Sequence, residues 1–213
     1  MEHSARKGVL LLIARVDHQR WPEPELAARD NLDGGELPDF AKLEWLAFEV
    51  PPGARGVIFL PFLEGAATPY NRADLRGAFS GLASSHRAGY LGRAVMEGVA
   101  FNVKQCVDAL TVAGAPIVDI RLAEGGARSR LWCQIIADVL GRDVSLIAGR
   151  DTSALGAAIL AMAADGMDIA AAADNAVQIS EILTPENAGT RYTDAFDTYT
   201  AACVRLLRDA PRA

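Results

Sequence analysis

Between the apolar run Val118-Asp119-Ile120-Arg121-Leu122-Ala123 and a helical pattern over residues 129–140 stands Glu124-Gly125-Gly126-Ala127-Arg128-Ser129. Two glycines after a strand let the backbone come close to another group. The helix that follows presents free N–H groups and the positive end of its dipole. That chemistry suits a phosphate or the ribose side of a nucleotide. A plain tight turn accounts for the glycines as well. The segment is neither a Walker A loop, which needs Gly-Lys-Ser/Thr, nor GxGxxG.

Other reactive side chains carry blander expectations. Glu97 follows Arg93 by four residues in a helical pattern and reads as a surface ion pair. Asp151 precedes a helix and reads as its cap. His86 falls near a helix start with no catalytic role, and Asp33, in Asn31-Leu32-Asp33-Gly34-Gly35, reads as an ordinary Asx turn. Trp132 and the stripe Tyr192, Phe196, Tyr199, Cys203 and Leu206 read as core. His3, His18 and His86 have no zinc spacing. Cys106, Cys133 and Cys203 form no CxxC pair and are odd in number, which favours a reducing, intracellular setting.

The elements that position these residues follow from periodicity. Residues 1–39 are an irregular lead-in with one short apolar strand, Val9-Leu10-Leu11-Leu12-Ile13-Ala14. Residues 40–49 make a short amphipathic helix stopped by Pro51-Pro52-Gly53, and Val57-Ile58-Phe59-Leu60 makes a strand. A long helix is predicted from about His86 to Val112, with Leu91, Val95, Val99, Val103, Cys106 and Leu110 stacked on its inward face. Strands at Val118–Ala123 and Asp143–Ala148 alternate with helices at 129–140 and Thr152–Ala164, the latter made of small residues that suit close backbone packing. A last helix covers residues 191–209. This alternation is the mark of an α/β fold with a parallel portion.

The run Leu122-Ala123-Glu124-Gly125-Gly126-Ala127-Arg128-Ser129-Arg130-Leu131-Trp132 through Ile136-Ala137-Asp138-Val139-Leu140-Gly141 resembles the adenosine-binding turn and helix of the FGGY family of carbohydrate kinases. Gly77-Ala78-Phe79-Ser80-Gly81-Leu82 followed by Leu91-Gly92-Arg93-Ala94-Val95-Met96-Glu97 is similar to that family's second signature. Pro51-Pro52-Gly53-Ala54, Phe59-Leu60-Pro61-Phe62-Leu63 with Gly65, and Thr68-Pro69 resemble the loop before it. Asp151 with Ala154-Leu155-Gly156-Ala157-Ala158 resembles the small-residue helix beside the nucleotide. The resemblance covers residues 40–209 in order, and xylulokinase-like members are nearest in wording.

The resemblance implies a ribonuclease-H-like domain of the actin-like ATPase superfamily, incomplete at its N-terminal strands, with residues 40–213 as the kinase C-terminal domain. It implies ATP as cofactor, with Mg²⁺ held mainly through the nucleotide, and transfer of a phosphoryl group to a sugar hydroxyl, most nearly xylulose to xylulose 5-phosphate. Gly125, Gly126 and Ala127 would lie against the ribose and α-phosphate, and Arg130 near the adenine. The family's sugar-binding lobe, its phosphate loops and its catalytic aspartate have no match here, so no catalytic base is assigned. Three positions depart from the pattern: Ala66-Ala67 in place of Glu-Arg, Tyr90 at the start of the signature helix, and Glu124 in place of a glycine.

The chain has 213 residues, with 21 Lys+Arg against 27 Asp+Glu for a net charge of −6. An acidic chain with no basic run is not built for nucleic acid, and nothing approaches the ~20 apolar residues of a membrane span. The expectation is a cytoplasmic protein. Its length suits one domain, about half of a two-lobed kinase. A separately encoded N-terminal lobe is the expected partner. The alternative is a non-catalytic remnant, folded alone or as a homo-oligomer. Missing strands would also leave an exposed sheet edge open to another chain.

Overall fold

The computed structural model describes residues 8–13, 40–123, 125–149, 151–186 and 191–209; Asp33 and Glu124 lie outside them. In chain order the elements are β1 (Gly8–Ile13), α1 (Phe40–Phe48), β2 (Ile58–Leu60), β3 (Ala78–Ser80), α2 (Ala88–Val112) and β4 (Ile117–Ala123). There follow α3 (Arg130–Leu140), β5 (Val144–Ile147), α4 (Thr152–Ala164), α5 (Ile169–Ala176), β6 (Ile179–Leu183) and α6 (Thr193–Asp209).

The main sheet has the order β1-β4-β5-β6. β1 runs parallel to β4, with Leu10 opposite Ile120 and Leu12 opposite Leu122. β4 and β5 are parallel, as their α3 crossover requires, and β6 returns antiparallel to β5. The strand of the lead-in is therefore built into the same sheet as the later strands. Among the described strands β4 and β5 are paired on both sides, so the free edges of this sheet are those of β1 and β6. β2 and β3 form a separate antiparallel pair.

The principal core gathers Ile120 and Leu122 of β4, Val144 and Leu146 of β5, Ile135, Ile136 and Val139 of α3, Phe101 of α2, and Tyr199 and Cys203 of α6. Trp132, Tyr192, Tyr199 and Cys203 are buried as expected, while Phe196 and Leu206 pack against the cluster half-buried. A smaller cluster joins Val50, Ala54, Val57 and Phe59 to Ala94 of α2.

α2 does not bury the stripe its apolar residues suggested. Its fully buried positions include Arg93, Ala94, Glu97, Gly98, Ala100, Phe101 and Val107. Leu91, Val95, Val99 and Val103 are half-buried flanks, and Leu110 is exposed. The cause is close approach. A Cβ on Gly98 would stand 2.2 Å from the Phe59 carbonyl oxygen, and one on Gly89 would stand 2.5 Å from that of Leu46. β2 and α1 therefore settle where the helix is smallest, and the bulky residues turn aside.

α3 begins at its Ser129 cap, whose Oγ accepts from the Trp132 N–H at 3.1 Å, and ends at Gly141 in the left-handed region. Asp151 caps α4 as expected, accepting from the Ala154 N–H at 2.7 Å. The small residues of α4 do not achieve the close packing expected of them: a Cβ on Gly156 would meet nothing within 4 Å, and no residue of the helix is fully buried. Its main neighbour is α5, an alanine-rich helix that periodicity did not reveal.

Candidate functional site

A cleft of about 850 Å³ opens between α1, the start of α3 and the segment leading into α6. Glu44, Trp45 and Phe48 of α1 line one side, Arg130, Leu131 and Gln134 of α3 the other, and Glu186 and Arg191 close one end. Its size falls within the range of small-ligand sites. Trp45 and Phe48 are 61% and 65% exposed, so two aromatic faces stand open to a flat ligand. They sit three residues apart on α1, which puts both on one side of the helix.

The floor beside α1 is held by a buried pair. Arg93 Nε donates to Glu97 Oε1 at 2.7 Å, and Arg93 Nη2 donates to the Tyr192 hydroxyl. The pair is real, but it is not on the surface: the two side chains are 6% and 1% exposed. Small neighbours on α2 draw β2 and α1 over them. Glu97 Oε1 also accepts from the Gly53 N–H at 3.0 Å. That amide opens a left-handed turn in which Gly53, Ala54, Arg55 and Gly56 have φ of 80°, 43°, 49° and 88°. Such a conformation costs an alanine or arginine about 1–2 kcal/mol. The bond to Glu97 and the burial of Ala54 offset it, and the turn carries Pro51 and Pro52 into the cleft wall. Burial pushes the Glu97 carboxyl above its ordinary range, and the Arg93 guanidinium counters only part of the rise.

Asp138 anchors the far end. Its Oδ1 accepts from the Glu186 N–H at 2.7 Å and from Gln134 Nε2 at 2.9 Å, and its Oδ2 lies 3.9 Å from Arg191. Gln134 also donates to the Thr184 carbonyl at 2.9 Å, so α3 holds the 184–186 segment by side chains alone.

The four residues singled out from the sequence fall at one corner. Gly125, Gly126 and Ala127 belong to a single 3₁₀ turn, Gly125–Arg128, that leads into the Ser129 cap. Gly126 is buried and its carbonyl accepts from Cys133 Sγ. The turn itself does not line the cleft, whereas Arg130 does, and its guanidinium meets Glu181 of β6 at 2.7 Å. Sequence reading passed over Glu44, Trp45, Phe48 and Asp138. The signal available for α1 was its aromatic content, ordinary for an amphipathic helix; what marks these residues is exposure, which no spacing announces. His86 precedes α2, its Nδ1 accepting from the Ala83 N–H at 2.9 Å.

No group of three or more His, Cys, Asp or Glu side chains is placed to hold a metal ion among the described residues, and no described helix is long and apolar enough to cross a membrane.

Residues 18–164 match the FGGY family of carbohydrate kinases, C-terminal domain. The xylulose kinase of Staphylococcus epidermidis is 30% identical over 154 residues, 71% of this chain and 31% of that protein. The gluconokinase of Bacillus subtilis is 34% identical over 160 residues, 75% of this chain and 30% of its own length. Among solved structures, the xylulose kinase from Rhodospirillum rubrum superposes with a TM-score of 0.71 at 34% identity, covering 86% of this chain and 36% of that one. A ligand-bound xylulose kinase from Lactobacillus acidophilus gives 0.74 at 26% identity, covering 87% and 38%. The chain thus spans about a third of the relatives it matches. The sheet and its flanking helices are part of the ribonuclease-H-like, actin-like ATPase fold of those kinases, and the chain belongs to the FGGY family of carbohydrate kinases, as a C-terminal domain.

Proposed function

We propose that this chain supplies the nucleotide side of a carbohydrate kinase that phosphorylates a sugar hydroxyl, with xylulose as the leading substrate. The observation that carries the reading is the cleft itself: aromatic faces from α1 oppose Arg130 and Gln134, at the foot of the Gly125–Arg128 turn. A purine between Trp45 or Phe48 and the α3 side would bury its faces, and its ribose would reach the turn at Gly125, Gly126 and Ala127. ATP fits this arrangement. Mg²⁺ would be carried by the nucleotide's phosphates.

When bound, ATP with Mg²⁺ supplies the phosphoryl group and spreads its charge. The chain's own part is to bind the base between apolar walls, orient the ribose, and hold the walls in place: Glu44 ties α1 to the start of α3, Glu97 holds the turn at Gly53, and Asp138 holds the 184–186 segment. A carboxylate to take the sugar's proton and a pocket to select the sugar would come from an N-terminal lobe. The reading favours a cytoplasmic setting.

Trp45 reports on the site directly. Mg-ADP should raise the melting temperature by several degrees at saturation and quench Trp45 fluorescence. Trp45→Ala should leave the fold intact while weakening nucleotide binding by about tenfold or more, the worth of one stacked ring. No melting response at millimolar Mg-ADP or Mg-ATP would sink the proposal. Xylulose phosphorylation should appear only when an N-terminal lobe is added, and turnover by this chain alone would refute that division of labour. A second reading, a non-catalytic remnant that self-associates, draws on the free edges of β1 and β6. A concentration-dependent rise in mass without nucleotide binding would favour it.

A further inference from the structure

The closed end of the cleft and its α1 side are joined by one chain of contacts. At the closed end Arg191 meets Glu186 at 2.9 Å and stands 3.9 Å from Asp138. The next residue, Tyr192, is 2% exposed, and its hydroxyl accepts from Arg93 Nη2. The same guanidinium donates through Nε to Glu97 Oε1 at 2.7 Å, and that one oxygen also accepts from the Gly53 N–H at 3.0 Å. Just before Gly53, Pro51 and Pro52 line the cleft. The amides of Ala54, Gly56 and Val57 bond back within this turn, whereas the Gly53 N–H crosses to α2. Well-packed apolar side chains commonly serve as well as a buried ion pair in holding a fold. The turn, moreover, is strained, with Ala54 and Arg55 at φ of 43° and 49°. Strain of this kind persists only where the surroundings over-determine it, and it gathers at working sites.

We propose that Tyr192, Arg93 and Glu97 form a latch that couples the closed end of the cleft to its α1 side. Tyr192 aims the Arg93 guanidinium, Arg93 fixes the Glu97 carboxylate, and Glu97 holds the strained turn that sets the position of Pro51 and Pro52. All three are positioning residues, acting on the cleft through the Gly53 turn. That the latched wall serves a nucleotide rests on the reading of the cleft as the nucleotide side of the kinase.

Amide hydrogen exchange read by NMR at the Gly53 N–H measures the latch, with the amides of β4 as the reference for global opening. Tyr192→Phe removes a hydroxyl that does not touch Gly53, yet it should speed exchange there about fivefold relative to β4, the scale of one hydrogen bond. Two double variants isolate the carboxylate. Arg93→Met with Glu97→Gln removes both charges and keeps an acceptor oxygen for Gly53, while Arg93→Met with Glu97→Leu removes the acceptor too. Gly53 should exchange about fivefold more slowly in the first than in the second. Equal exchange in the two double variants, or exchange in Tyr192→Phe within about twofold of wild type, would overturn the latch. Mg-ADP affinity, measured by calorimetry, should fall about fivefold in Tyr192→Phe, in step with the Gly53 amide. A loosened Gly53 with unchanged Mg-ADP affinity would overturn the positioning role and leave the nucleotide reading standing. No Mg-ADP binding by wild type would overturn the nucleotide reading, and the exchange rates then decide the latch by themselves.

Discussion

Arg93 and Glu97, one helical turn apart on α2, form an ion pair of 2.7 Å inside the protein, roofed by Tyr192 and tied to the backbone at Gly53. An i, i+4 pair on a solvated helix contributes only tenths of a kcal/mol. Buried, the same pair carries high stakes, because among the described residues each side chain has the other as its ion-pair partner. Glu97→Ala should cost about 3–5 kcal/mol, since it strands the Arg93 guanidinium and frees the Gly53 amide. Urea denaturation at neutral pH measures it. Arg93→Met with Glu97→Leu should cost less than the single change. A double variant as unstable as Glu97→Ala would show that the loss comes from Gly53 and the turn instead.

The same carboxylate has a pH signature. Among the described residues its second oxygen, Oε2, is buried without a hydrogen-bond partner, and burial raises the group above its ordinary value of 4.5. The folded chain then holds the proton more tightly than the unfolded chain. That contribution to stability is complete below about pH 4.5 and is lost as pH rises through the folded value. The stability of wild type relative to Glu97→Gln should therefore fall as pH climbs from 4.5. Urea midpoints across pH 4 to 8 for the two proteins check the sign.

Two glycines should answer oppositely to alanine. At Gly98 the new methyl group meets the Phe59 carbonyl oxygen at 2.2 Å, which should cost about 1–3 kcal/mol despite better helix propensity. At Gly156 it meets nothing, and the change should stabilise by up to about 1 kcal/mol. Melting curves of the two variants distinguish a packed contact from open space.

Ser129→Ala removes the cap of α3 and its link to Glu44 together. A loss of about 1 kcal/mol is expected from the cap alone. In the same denaturation experiment, a loss below a few tenths would mean that the Leu131 and Trp132 amides find other partners.

The thiols should be sluggish. Burial pushes Cys133 up to about 12 and raises Cys203 and Cys106 as well. A disulfide reagent at pH 8 should modify Cys106, the least buried, before the other two, with all three reacting at once after unfolding. Mass mapping of the first adduct decides the order.

Local chemistry made several features legible in advance. Asp151 caps α4, and β4, α3 and β5 follow one another in the parallel crossover that the alternation of apolar runs announced. The order of glycines, prolines and small residues carried the family resemblance, because turns and close contacts restrict residue type at single positions.

What one-dimensional pattern could not reach depends on which surfaces meet. Periodicity ranks residues by polarity, so it turned Leu91 and Val95 inward and left Arg93 and Glu97 in water. The tertiary structure reversed them, because backbone can approach α2 most closely at Gly89 and Gly98, and a charged pair buried there is kept by its own partners. Nor could spacing tell that Glu44 of α1 would reach Ser129, 85 positions away, or that Trp45 and Phe48 would face an open cleft. The sequence by itself determined most of the elements, the Asp151 cap and the family. Only the folded chain decided which helix start is already occupied by a carboxylate, since that contact exists only once α1 has packed beside α3.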